Sequence, residues 1–179
     1  MIRLATTLWD LLDRRAARAS RRSPPPSLAP PRREEGRRRP IQDRYDQLVI
    51  EMKRIHGVRV VKWRSSTSGC AWEVHYANGT NARLIEAPYP RGPMSCAVFM
   101  HEIGHHAIGL KRFRPRCLEE YHAWRWGLME MESRGFNVTP AVLSRRDAAL
   151  RYAVAKAIRR GIRALPEELL PYASPMIRS

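Results

Sequence analysis

One stretch limits this chain's folding options more than any other. Ala97-Val98-Phe99-Met100 lead into His101-Glu102-Ile103-Gly104-His105, and Ala107-Ile108 follow after His106. The flanks are uncharged, so a helix over Cys96–Ile108 has to be covered by other elements along most of its length. Two imidazoles and a carboxylate then enter a protected setting, where polar groups need partners or an ion. Gly104 lets a neighbouring backbone come close to this helix.

The spacing is that of H-E-x-x-H. Histidines four apart project from one helical face, one turn apart, so their ring nitrogens can share one ion. Glu102 is rotated from that line and can reach a water on the ion's open side. Zinc suits imidazole and carboxylate ligands, and a catalytic zinc keeps one position for water. His106 lies one position off the metal face and is expected to pack or to meet solvent.

A third ligand is required. The following helix, expected over Leu118–Arg134, opens Leu118-Glu119-Glu120-Tyr121-His122-Ala123, with its acids 18 and 19 positions after His101. That interval suits two helices side by side across a short basic connection, Leu110–Arg116. Glu119, Glu120 and His122 are all candidates by spacing. Tyr121 and His122 are candidate donors to a tetrahedral oxyanion. Trp124 and Trp126 are expected to fill the core, as are Trp63 and Trp72.

The rest of the chain reads in order. Tyr45, Leu48, Val49, Met52 and Ile55 recur at helical steps, with Gly57 as the stop. Three β-like runs follow, Val58–Arg64, Cys70–Tyr76 and Asn81–Glu86, separated by Ser68-Gly69 and Asn78-Gly79. Asn-Gly between alternating segments signals a hairpin, and a small antiparallel meander is the economical expectation. Ala87–Pro93, rich in proline, reads as a loop. Thr139-Pro140 supplies an N-cap and first-turn proline for a third helix through Val142, Leu150, Val154 and Ile158 to Gly161. Pro166-Glu167-Glu168 opens a short last helix.

Charge divides the chain. Of the net +16 over 179 residues, residues 1–40 contribute +7 from eleven Arg and four acids, and residues 41–179 contribute +9. The first segment holds Pro24-Pro25-Pro26 and Arg37-Arg38-Arg39, so residues 14–40 are expected to be a disordered basic linker behind a short amphipathic stretch, Ile2–Leu12. Residues 41–179 then form the folded domain. Arg145, Arg146, Arg151, Arg159, Arg160 and Arg163 could form a basic stripe on the third helix. With the tail, that stripe makes nucleic acid a candidate partner. No run of 18 apolar residues exists, so no membrane span is expected. Cys70, Cys96 and Cys117 form no disulfide framework, which favours a cytoplasmic setting. Cys96 and Cys117 are expected to be small buried side chains.

The H-E-x-G-H helix, followed by Glu120-x-x-Ala123-x-x-Trp126-Gly127, resembles the ImmA/IrrE type of gluzincin-like metallopeptidase. The resemblance covers roughly Tyr45–Arg134. It implies an α+β zincin-like fold, with a short sheet packed on the metal helix and a ligand-bearing helix beside it. It also implies His101, His105 and Glu120 as zinc ligands and Glu102 as general base. Members of that family typically act on a repressor, often of a mobile element such as a phage.

Three functional expectations follow. The first is a zinc endopeptidase, its peptide substrate lying along the last strand, Asn81–Glu86. The second is a catalytically inactive zinc-containing binding protein that uses its basic surface on DNA or an acidic partner. The third is a zinc hydrolase of non-peptide amides.

Overall fold

The computed structural model describes residues 40–173. The expected helix near Ile2–Leu12 and the linker up to Arg39 lie outside the described residues. The described chain is α+β: helix α1 (Pro40–His56), strands β1 (Val58–Arg64), β2 (Cys70–His75) and β3 (Asn81–Pro88), helices α2 (Pro93–Ile108), α3 (Arg116–Ser133) and α4 (Pro140–Arg159), and a 3-10 turn, Glu167–Tyr172. Among the described residues no helix is long and apolar enough to cross a membrane.

The periodic apolar residues place α1 as expected. Tyr45, Leu48, Val49 and Met52 are buried, whereas Ile55, at the end of the series, is exposed. Gly57 then takes φ +61, a left-handed value that suits glycine, and turns the chain into β1.

The sheet departs from the expected meander. Its order is β1-β3-β2, with β3 antiparallel to β2 but parallel to β1. The Asn78-Gly79 hairpin forms as anticipated: Gly79 has φ +81, and Tyr76 N–H donates to the Thr80 carbonyl at 2.9 Å. Ser68-Gly69 makes no hairpin. The five residues 65–69 instead link two strands that do not pair with each other, and β3 lies between those strands. Burial follows the order. Leu84, Ile85, Ala87 and Pro88 of β3 are buried, whereas Val61, Lys62 and Trp63 of β1 are exposed and β2 is half-buried. The most buried strand takes the centre, with a partner strand on each side. Arg64 holds the 65–69 connection, donating to Glu86 Oε2 at 2.9 Å and to Ser68 Oγ at 3.0 Å. Neither strand tryptophan enters the fully buried core. Trp63 meets Tyr89 and Phe99 from the surface, and Trp72 is half-buried.

Every residue of α2 from Cys96 to His106 is buried. The sheet covers one side and α3 another. Ser95 Oγ accepts from the Arg91 and Gly92 amides at the start of α2, satisfying donors that have no partner within the helix. The contact with α3 is unusually close. A Cβ on Gly104 would lie 2.6 Å from the Ala123 carbonyl oxygen, and one on Gly127 would lie 3.0 Å from the Met100 carbonyl. Small residues on both helices are therefore a condition of this packing. Helix α4, with Thr139 Oγ1 capping Val142 N, packs Val142, Leu150 and Val154 inward.

Gly104→Ala should lower unfolding free energy by about 1–3 kcal/mol despite alanine's better helix propensity, because the obstacle is backbone. Urea denaturation of the variant measures this, and an unchanged midpoint would contradict the packing argument.

Candidate metal centre

His101, Glu102 and His105 come from one and a half turns of α2, and all three are buried. Their ligand atoms lie within 4.8 Å of one another, so the group could hold a metal ion. From α3, Glu120 Oε2 approaches both imidazoles, 3.3 Å from His101 Nε2 and 3.5 Å from His105 Nε2. An ion held tetrahedrally at about 2.0–2.1 Å, the range for imidazole and carboxylate on zinc, keeps its donors about 3.3–3.4 Å apart. The observed separations match that edge length and exceed the usual N–H to oxygen hydrogen-bond range.

The two adjacent glutamates, equivalent by spacing, have different surroundings. Glu119 is 1% exposed. Its Oε1 lies 3.1 Å from His105 Nδ1, and its Oε2 accepts the Lys111 amide at 2.7 Å. Glu119 thus fixes the ring of His105 from behind, leaving Nε2 aimed at Glu120. This is the usual partner arrangement of a metal-binding histidine. One residue along the helix turns the side chain by about 100°, enough to separate an orienting carboxylate from one that faces the shared centre.

His101 is held differently. Its ring stacks on Trp124 with centroids 4.3 Å apart, and its buried Nδ1 has no hydrogen-bond partner. Trp124 is buried as expected, and it also orients a candidate ligand.

The protonation states follow from these contacts. Burial lowers His101 to about 4, against the opposing pull of Glu120, so its ring is neutral near neutral pH. Burial would also lower His105, but the hydrogen bond to Glu119 and the nearby carboxylate of Glu120 outweigh it and push it up to about 9. Burial opposes ionisation of Glu120, yet the two imidazoles beside it hold its carboxyl well below the usual range. Burial raises Glu102 to about 7.

Sequence reasoning missed what holds Glu102. A Cβ on Gly69 would fall within 2.5–2.7 Å of the Glu102 carboxyl and Cγ. The connection after β1 therefore closes directly over this side chain. The one available sign was Ser68-Gly69, which reads equally well as an ordinary turn.

Other candidates lie elsewhere. Tyr121 packs near Tyr172, and His122 lies against the Phe113 ring at 4.1 Å. Neither lines the cleft of about 1170 Å³ onto which His101, Glu102, His105 and Glu120 open. His106 is buried and lowered by burial, and its Nε2 lies 3.1 Å from the Leu84 carbonyl, tying α2 to β3. Cys96 and Cys117 are buried as expected, and burial pushes Cys96 up to about 12. The expected α4 stripe divides: Arg145 and Arg160 line the cleft, while Arg146 pairs with Asp147. The Asn81–Glu86 strand is central and fully paired, so it offers no edge to a peptide. The edge strands are β1 and β2, and Cys70 and Ala71 of β2 line the cleft.

Compared with known proteins, the chain matches no family model, no curated protein and no solved structure.

Metal titration with elemental analysis checks the centre. Wild type should bind one ion per chain, and Glu120→Ala should lose stoichiometric binding. Glu119→Ala should retain the ion with affinity weakened about 10–100-fold. Equal loss in both variants would contradict the separate roles of the two carboxylates.

Proposed function

We propose that the chain is a zinc-dependent metallopeptidase that hydrolyses peptide bonds, with His101, His105 and Glu120 holding the ion. The observation that carries this reading is the convergence of both imidazole Nε2 atoms on one Glu120 oxygen, beside a separate buried carboxylate, Glu102. The donor set of two nitrogens and one oxygen suits zinc. A bound zinc ion supplies Lewis acidity, acidifying a water and polarising a substrate carbonyl.

The chain's own groups do the rest. Glu119 and Trp124 orient the two imidazoles. Glu102, raised to about 7 by burial, is suited to taking a proton from the attacking water at its carboxylate and returning it to the leaving amine. Gly69 leaves the space in which that carboxylate sits. An extended substrate could pair its main chain with the open edge of β2, bringing a peptide carbonyl into the cleft. Arg145 also lines this cleft and donates across it to the Thr67 carbonyl at 3.2 Å. It replaces Tyr121 and His122 as the candidate donor to a developing oxyanion. The resemblance to ImmA/IrrE-type peptidases adds a regulatory or repressor protein as the substrate class.

Glu102→Gln should keep the ion and lose peptide hydrolysis by about 10²–10⁴-fold, read by cleavage of a denatured protein substrate beside metal content. Proteolysis at the wild-type rate in that variant would reject the mechanism. Gly69→Ala should likewise keep the ion and lose rate, since the added methyl displaces the Glu102 carboxyl. Full activity there would show that Glu102 does not work from its observed position.

A further inference from the structure

Six cationic side chains line the cleft around the candidate centre: Lys111, Arg114 and Arg116 from the α2–α3 region, and Arg145, Lys156 and Arg160 from α4 and its end. The three cleft carboxylates are already committed. Glu119 serves His105 and the Lys111 amide, Glu120 faces both imidazoles, and Glu102 is buried under Gly69. Arg116 pairs with Glu120 at 3.4 Å, and Arg145 reaches only a backbone carbonyl. Lys111, Arg114, Lys156 and Arg160 are exposed and form no ion pair among the described residues. Two separate elements thus present uncompensated positive charge to one cleft, whose walls between these charges include Ala149, Ala153 and Ala157.

Resting on the peptidase reading, we infer that the cleft selects polypeptide segments carrying aspartate or glutamate beside the bond placed at the centre. A cleft lined by one sign of charge focuses its field, raising the local concentration of oppositely charged ligands and rejecting like-charged ones. The polymer is polypeptide rather than nucleic acid because the same cleft includes Cys70 and Ala71 of the open β2 edge, where main-chain pairing favours an extended peptide. Small side chains on α4 leave room for such a chain, and the cationic heads supply the discrimination. Lys156 of α4 and Arg160 at its C-terminal end, with Lys111 and Arg114 from the connection, are the specificity-determining residues.

Fluorescence anisotropy on the zinc-loaded full chain tests this, with labelled Glu-rich, Ser-rich and Lys-rich peptides of one length and a single-stranded oligonucleotide of matched charge. The variants are Lys156→Glu with Arg160→Glu, and Lys111→Glu with Arg114→Glu. All four side chains are exposed and form no ion pair among the described residues, and a thermal melt confirms that the variants are folded. The Glu-rich peptide should bind at least about tenfold tighter than the Ser-rich one, with the advantage lost in both variants and the Lys-rich peptide gaining. Cleavage-site mapping on a peptide mixture should show acidic residues enriched near the cut.

Equal binding of acidic and neutral peptides would overturn the inference. So would an acidic preference that survives both charge reversals, which would place the attraction outside the cleft. Tighter binding of the oligonucleotide than of the Glu-rich peptide would assign the cleft to nucleic acid instead. Cleavage without acidic enrichment would sink this inference and leave the peptidase reading standing. Charge-dependent peptide binding without any cleavage would do the reverse.

Discussion

The close contact of α2 with α3 is the constraint on which the rest of the structure depends. Helix α2 is buried along its central eleven residues, from Cys96 to His106, and it carries three histidines and a glutamate into that environment. A buried charge without a partner costs several kcal/mol, so the helix is tolerable only if a neighbour brings compensating groups within reach. Helix α3 does so through Glu119 and Glu120. It can come close enough only because Gly104, Ala123 and Gly127 leave no side chain in the way.

Approach and compensation support each other. A wider helix separation would pull Glu120 away from both Nε2 atoms and leave His105 without Glu119. The sheet supplies the opposite wall. His106 Nε2 on the Leu84 carbonyl ties α2 to β3, and the connection after β1 closes over Glu102 at Gly69. The side of α2 that carries His101, Glu102 and His105 opens onto a cleft lined also by cationic and small apolar side chains of α4.

Much of the helical framework was legible in the sequence. The apolar steps of α1, the Thr139-Pro140 start of α4 and the glycine stops are local signals that act within a few residues. The hairpin at Asn78-Gly79 is likewise local, since its turn requires a residue that tolerates positive φ. The sheet order was not legible. Val58–Arg64 and Cys70–His75 are separated by five residues and look like hairpin partners, but the more deeply buried Asn81–Pro88 strand inserts between them. That choice depends on burial against α2, which no short window contains.

The sequence by itself determined the chemistry available: two histidines and a glutamate on one buried helix, two acids opening the next, and cationic residues crowded between and after them. Tertiary structure decided how those groups divide the work. Glu119 and Glu120 are neighbours of the same type, and only the angle at which α3 meets α2 separates an orienting carboxylate from one facing both imidazoles. In the sequence Tyr121 and His122 stood as candidate oxyanion donors and Arg145 only as part of a basic stripe, yet Arg145 lines the cleft and neither Tyr121 nor His122 does. Residue types and intervals follow from the covalent chain. The faces that meet depend on how closely two helices pack, and here side chains as small as hydrogen and methyl set that distance.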